Sequence, residues 1–587
     1  MHTHHHGDPM IELNETEITM WHGPTLPSYW SIDVEDRDPD VPRYPGLMVL
    51  HVLCMSLAFF VALPAGIAMR SMKHAWHGLP VLGYYCFCVL GCAASGLYRK
   101  LTPDMYEGSS HATHGYLVLL SSLGLSAVDI CGFALRIYSY MKSSSKFAFY
   151  PFWRNVVLGH SEDSTSSSVY ISLIAEEPED YDEVVMKPGR LSDKQESPHV
   201  SQQPSIAPIQ IQDELEDQTS PWVSGHAHHY STSSERTIFE PTSPHGSRHS
   251  EETLHDVAIL PTASPKVSLG RRVARAAFGT FERALVSAGF AMTLTGIVVY
   301  TGGCRGGYVN GCLAHLIKGG IFWCYGLVTF ARFLGSFSEL GWAWNIAPAG
   351  EYVSAEFVES LVIFLYGITN TWMERFGTQP GDPYTTKQVQ HISIAVMFWF
   401  AGIVGMGIES KRVRGWLAST AAASAGPSAS LITEPPTYRA SFNPFPALVI
   451  GVTGVAMSAH AQTYLFQVQI HQLWGFLLLG FSVLRCLTYF FVWLGPPRSI
   501  LPSRPPTEAL GSFFLACGGL VFIFSTEEVT TAAMRKGRDD MMMFLNLAVA
   551  ITCFAFTWTL CLVAFKGWLK ARTTTRIAHK LHHSSSP

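Results

Sequence analysis

Apolar runs of about twenty residues recur along the chain, each long enough to cross a hydrocarbon core and each ended by charged, glycine-rich or proline-rich turns. Three come first, Gly46 to Met69, Leu79 to Tyr98 and His114 to Tyr138. Eight more begin near Ala284, Cys312, Val353, Val389, Ala447, Ile470, Leu510 and Met543. A backbone in lipid must satisfy its own hydrogen bonds, so the pattern predicts an all-α, polytopic integral membrane protein of roughly eleven transmembrane helices. They form a three-helix block and an eight-helix block.

Between the blocks, residues 140–282 hold no spanning run and are rich in Ser, Glu, Asp, Pro and His, the composition of a disordered cytosolic linker. Four Ser-Pro pairs beginning at Ser197, Ser220, Ser243 and Ser264 suit proline-directed kinases as partners. The expected organisation is a polar extracytosolic tail (1–45), an N-terminal membrane domain (46–139), the linker (140–282), a C-terminal multi-spanning domain (283–570) and a cytosolic tail (571–587).

Charge fixes the expected direction. Arg70 and Lys73 follow the first span, Lys411, Arg412 and Arg414 the seventh, Arg498 and Arg504 the ninth, and Lys566, Lys570 and Arg572 the last. The positive-inside bias puts the amino terminus outside and the carboxyl terminus in the cytosol, in an endomembrane or the plasma membrane. With 48% hydrophobic and 14% charged residues in 587, and a net charge of −5, the lipid bilayer is the obligatory partner and nucleic acid is excluded. No phosphate loop, dinucleotide fingerprint, nucleophile elbow or His-Glu-x-x-His helix occurs.

The tail carries nine acidic residues and the chain's one glycosylation sequon, Asn14-Glu15-Thr16, usable only if this end is translocated. Residues 1–6 lack an apolar signal segment, so either the first span carries the tail across or a signal precedes it. The histidines at 2, 4, 5, 6 and 22, and the His226–His229 fragment, offer weak metal-catching tracts. Ten of twelve cysteines lie in or beside apolar runs; Cys304 and Cys312, in a glycine-rich loop, are the disulfide candidates, against two free thiols.

On this topology His51, His111, His114, His315, His391, His460 and His471 all fall on the outer side, while His74 and His77 lie inside. A bis-imidazole haem needs two histidines from different helices at one depth, with small residues to admit the macrocycle. His51 with His114, or with His111 one turn earlier, meets the first condition, and Gly91-Cys-Ala-Ala-Ser-Gly96 the second. A polar Zn or Cu site using His391, His460 and His471 is the alternative. Interfacial histidines that only hydrogen-bond their neighbours are the third reading. Asp129, Lys318, Glu356, Glu359 and Arg485 are ionisable residues inside spans, each requiring a partner or water.

Leu50-His-Val-Leu-Cys-Met55, Leu63-Pro-Ala-Gly-Ile-Ala-Met-Arg70 and His111-Ala-Thr-His-Gly115 resemble the N-terminal domain of a fungal membrane-protein family named after a yeast transmembrane protein. Trp372-Met-Glu-Arg-Phe-Gly377, Asn443-Pro-Phe-Pro-Ala447 and His471-Gln-Leu-Trp-Gly475 are similar to the same family's C-terminal domain. That N-terminal domain in turn looks like transmembrane b-type cytochromes. The resemblance implies haem b on His51 and His114, with His77 at the place of an inner ligand whose partner is missing. Members usually carry histidine where this chain has Arg375, and usually begin with a signal peptide. The expected function is haem-based electron transfer from a donor still to be identified. The alternatives are Zn/Cu handling of a metal cargo and a non-catalytic scaffold or sorting role.

Overall fold

The computed structural model describes residues 9–21, 44–72, 74–102, 109–143, 148–157, 269–304, 306–348, 352–373, 381–424, 436–460 and 462–584. The polyhistidine start, His22, the Ser-Pro pairs, His226–His229 and Arg375 lie outside these residues. All described residues belong to one compact unit.

Besides the α-helices Phe149–Phe152 and Lys411–Ser424, its helices are α1 Glu15–Trp21, α2 Pro45–Ser71, α3 Gly78–Leu101, α4 His111–Ser143, α5 Leu269–Thr301, α6 Val309–Phe333, α7 Ala355–Met373, α8 Thr386–Glu409, α9 Phe445–Ser458, α10 Leu465–Leu494, α11 Pro506–Phe524, α12 Glu527–Arg535 and α13 Met541–Ser584. Every one of the eleven apolar runs is helical, but not every helix is a full span. Eight are long and apolar enough to cross a membrane, and α4, bent by 43° between His111–Ala127 and Asp129–Lys142, makes a ninth if counted as one. Helix α9 has only 14 residues, about 21 Å against a hydrocarbon core of about 30 Å. Helix α7 carries Glu356 and Glu359 in its first two turns.

Helix α2 contains one π-type turn, Ala58–Ala62, closed by the Leu63 amide on the Ala58 carbonyl. Pro64 follows it and has no N–H, so the Phe60 carbonyl, four residues back, loses its helical partner. Trp558 of α13 supplies the missing donor, its indole Nε1 reaching Phe60 O at 2.6 Å. A carbonyl orphaned by proline in the first span is therefore satisfied from the last helix of the chain.

Helix α5 also binds to the first block. A Cβ on Gly289 would lie 2.8 Å from the Phe59 ring, so the two helices touch there at backbone distance. Glu282 pairs with Arg70 at 2.7 Å. Thr295 Oγ1, already donating to Met292 O, accepts from His111 Nδ1 at 3.0 Å.

Within the C-terminal block the closest pairs are α6 with α11, α7 with α8, and α9 with α10. A Cβ on Gly454 or Gly475 would lie 2.5 Å from the other's carbonyl oxygen, so both must be glycine for α9 and α10 to meet. Trp474, Ile470, Leu478, Leu515 and Val521 are fully buried at the centre, Trp474 stacked on Phe522 with centroids 4.2 Å apart.

Candidate functional site

Five charged side chains from four helices meet at one end of the C-terminal block. Arg332 ends α6, Glu356 and Glu359 open α7, Arg485 lies two-thirds along α10, and Glu508 opens α11. Arg332 donates from Nη1 to Glu359 Oε1 at 2.6 Å, from Nη2 to Glu356 Oε1 at 3.0 Å and from Nε to the Trp342 carbonyl at 2.9 Å. Arg485 donates from Nη1 to Glu359 Oε2 at 3.3 Å and from Nη2 to Glu508 Oε1 at 2.6 Å. The series Glu356, Arg332, Glu359, Arg485, Glu508 is continuous, and Arg485 and Glu508 are each 1% exposed. Three carboxylates facing two guanidiniums leave a surplus of one negative charge when all are ionised.

The loops around this end are built to hold it. Trp344 lies against both arginines, its ring centroid 5.2 Å from Arg332 Cζ and 5.6 Å from Arg485 Cζ. Trp344 adopts φ 57°, a conformation L residues avoid, and Ser503 pins it, amide and hydroxyl donating to its carbonyl at 3.2 and 2.6 Å. Asn345 Nδ2 donates to the Ser338 and Ile500 carbonyls, both at 2.8 Å, tying the α6–α7 and α10–α11 connections together.

A polar path continues from Glu356. Ser360 Oγ donates to the Glu356 carbonyl, and Asn443 Nδ2 donates to Ser360 Oγ at 3.0 Å and to Gly405 O at 3.1 Å. At the end of α8, the Glu409 carboxylate receives Ser354 Oγ and Ser441 Oγ, each at 2.7 Å. Arg414 donates to the Glu409 carbonyl at 3.4 Å, on the side where Lys411 and Arg412 lie.

A second cluster lies at the corresponding end of the first block. Arg70 pairs with Asp129 and with Glu282 and stacks over Phe278, so Asp129 has the arginine partner its position in α4 demands. His77 Nδ1 donates to Gly66 O at 3.1 Å while its Nε2 accepts from Arg70 Nε at 3.3 Å. Both ring nitrogens are engaged, so His77 does not fit the role of an inner haem ligand. A cavity of about 30 Å³, the size of one or two waters, adjoins Arg70, His77, Ser122 and Glu282.

The outer histidines form separate groups. His51 Nδ1 donates to Gly91 O at 2.9 Å, and His111 Nδ1 donates to Thr295 Oγ1 at 3.0 Å. Of the small residues expected to admit a macrocycle, Gly91 packs against α2, a Cβ there lying 3.1 Å from Met55 Cε, whereas Gly96 faces open space. His391 lies 6.0 Å from His460, whereas His471 sits 5.8 Å from His315. His391, His460 and His471 thus do not converge as one ligand set. Among the described residues the sole group of three metal-type ligands is Cys304, Cys312 and Glu528, and its two sulfurs are bonded to each other as a disulfide.

Glu356, Glu359 and Arg485 stand out in the sequence as charges inside apolar runs. Arg332 and Glu508 do not, because each sits within a turn of a helix end, where charge is ordinary.

Residues 288–567 match a family described as "Protein YTP1-like, C-terminal", and residues 40–130 match a domain of unknown function, DUF2427. The chain is 31% identical over 546 residues to an uncharacterized membrane protein of Schizosaccharomyces pombe, covering 89% of this chain and 94% of that one. It is 39% identical over 283 residues to an uncharacterized membrane protein of Saccharomyces cerevisiae, covering 45% and 44%. It is 25% identical over 272 residues to Protein YTP1 of the same yeast, covering 46% and 50%. No solved structure matches the chain. All five network residues fall inside the YTP1-like match; Arg70, His77 and Asp129 fall inside the other.

Proposed function

Because the chain belongs to the YTP1-like family of fungal multi-pass membrane proteins, we propose that its C-terminal block is a proton-linked membrane carrier centred on Arg332, Glu356, Glu359, Arg485 and Glu508. The observation that carries this reading is the unequal count of buried charges, three carboxylates to two guanidiniums. An uncompensated charge away from water costs several kcal/mol, and one added proton cancels the surplus. Glu359 bridges both arginines. Glu356 and Glu508 each bind a single arginine and are the carboxyls that take and release the proton. Glu409, with two serine hydroxyls on its carboxylate and the basic Lys411–Arg414 turn beside it, is the port to the aqueous side.

Reconstitution tests this reading. Vesicles holding the purified protein and an internal pH dye should dissipate an imposed pH gradient faster than protein-free vesicles, and Glu356→Gln should abolish the difference. Dicyclohexylcarbodiimide, which attacks protonated carboxyls in apolar surroundings, should modify Glu356 or Glu508. Wild-type vesicles indistinguishable from empty ones, with neither glutamate modified, would overturn it.

A second reading is haem b electron transfer at the other end of the first block, on His51 with His111 or His114. In its favour, oxygen acceptors hold Nδ1 of His51 and His111 and leave Nε2 as the ligand nitrogen. Against it stands Met55, filling the notch at Gly91. A Soret band after haem-replete expression, lost in His51→Ala, decides for it. Zn or Cu handling at His391 and His460 has two imidazoles in its support, and metal content unchanged in the double alanine variant removes it.

A further inference from the structure

Four segments far apart in sequence share one face of the molecule. The disulfide Cys304–Cys312, Cα atoms 5.3 Å apart, closes the connection between α5 and α6. The Cys304 amide donates to Glu528 of α12 at 2.6 Å, which fastens that connection to the one between α11 and α13. Residues before the first span bind the same face. The Met10 amide donates to Thr463 O at 3.0 Å and the Leu465 amide to Met10 O at 2.9 Å, a two-bond bridge to the start of α10. The Asn14 amide donates to the Tyr464 hydroxyl at 3.4 Å, Ile18 is buried, and Glu15 accepts a two-pronged bond from Arg535 of α12 at 2.7 and 2.8 Å.

That juxtaposition assigns a compartment. A disulfide persists where the surroundings are oxidising, which in a fungal cell means the lumen of the secretory system or the outside. The docked segment before the first span cannot lie on the other side of the bilayer from the disulfide, because Glu528 and Arg535 belong to one nine-residue helix that touches both. The opposite ends of the helices carry Lys411, Arg412, Arg414, Arg498 and Arg504, the distribution expected of a cytosolic face.

We infer that Asn14 is an N-glycosylation site: the disulfide's face is the translocated one, and Asn14-Glu15-Thr16 lies on it with the Asn14 side chain exposed. Two of the contacts of Asn14 run through the backbone, the amide to the Tyr464 hydroxyl and the carbonyl to the Ile18 amide at 3.1 Å, which starts α1. Thr16, whose hydroxyl the transfer reaction requires, is likewise exposed. The modification joins the Asn14 side-chain nitrogen to a sugar anomeric carbon, releasing the lipid diphosphate that carried the oligosaccharide and one proton from the amide. The glycan then stands at the junction of the amino-terminal segment, α10 and α12.

The experiment uses the full chain expressed in a fungal host. Wild type should migrate more slowly than Asn14→Gln and Thr16→Ala, and peptide-N-glycosidase should bring it down to their mobility. Asn14→Gln retains the amide that reaches Tyr464, and Thr16→Ala leaves Asn14 itself in place, so the two together separate loss of the sugar from loss of folding. Wild type already co-migrating with both variants, and unchanged by the glycosidase, overturns the assignment, irrespective of proton transport. Membrane-impermeant maleimide on intact vesicles gives the independent check on the face. Cys304 and Cys312 should label after reduction when that face is outward; labelling only from the cytosolic side also overturns it.

Discussion

At the scale of single residues, the fold depends on charges that would be intolerable alone. Among the described residues Arg485 is the one arginine paired with Glu508, and it shares Glu359 with Arg332, so Arg485→Met strands Glu508 in the interior and leaves Glu359 to Arg332 alone. Breaking a buried pair from one side costs about 3–5 kcal/mol, and the variant's unfolding midpoint in mild detergent should fall by far more than that of Glu508→Gln, which keeps an acceptor for Arg485. The exposed pair Glu15–Arg535 behaves differently. The Arg535 guanidinium holds the Glu15 carboxyl below its usual range, so the pair's contribution is complete above the ordinary glutamate pKa and is lost as pH falls through the lowered value. Protection of the amides over residues 10–21 should therefore be constant near neutrality and fall below roughly pH 4, and added salt should lower it only where the pair is still ionised. Glu356, Glu359 and Arg485 were legible in the sequence as ionisable residues inside apolar runs. Their partners were not, since Arg332 and Glu508 look like ordinary end-of-span charges until α6, α7, α10 and α11 are brought together.

At the scale of elements, hydropathy located the helices because burial in lipid depends on local composition. All eleven apolar runs are helical, yet α9 is a 14-residue half-helix with one face exposed and α7 begins inside the charge network. An apolar run shows that a segment is helical but not how far the helix extends or whether charges enter its first turns, which explains the excess over eight or nine full spans. The Pro64–Trp558 contact is the sharper case. Trp558→Phe leaves the Phe60 carbonyl without a donor, a loss of about 1–3 kcal/mol. Pro64→Ala restores a helical N–H to that carbonyl, so the cost of Trp558→Phe should shrink in the Pro64→Ala background. Unfolding free energies of the four proteins in one detergent check the coupling; equal costs in both backgrounds would mean the indole acts by packing alone.

At the scale of the whole molecule, two blocks separated by a long polar linker fold together. Arg70 with Glu282, His111 with Thr295, Gly289 against Phe59 and Trp558 on Phe60 all cross between them. Proteolysis within residues 178–268 should leave two fragments that co-elute in mild detergent. Arg70→Met combined with Trp558→Ala should separate them, because it removes an ion pair and a hydrogen bond whose partners lie inside the membrane region.

The sequence by itself determined what depends on neighbours in the chain: which runs are helical, where the long polar linker lies and the charge bias of the loops; it left Cys304 and Cys312 open between a disulfide and two free thiols, and the structure joined them. Tertiary structure decided which of the buried polar groups meet. It set His391 beside His460 and His315 beside His471, and gave His51 to the Gly91 carbonyl and His111 to Thr295. It gave both nitrogens of His77 to hydrogen bonds, and assembled Arg332, Glu356, Glu359, Arg485 and Glu508 from positions 176 residues apart at the extremes. The physical reason is that lipid exposure is a property of each segment, whereas satisfying a charge inside the membrane requires a particular partner, and nothing in one helix specifies which other helix will supply it.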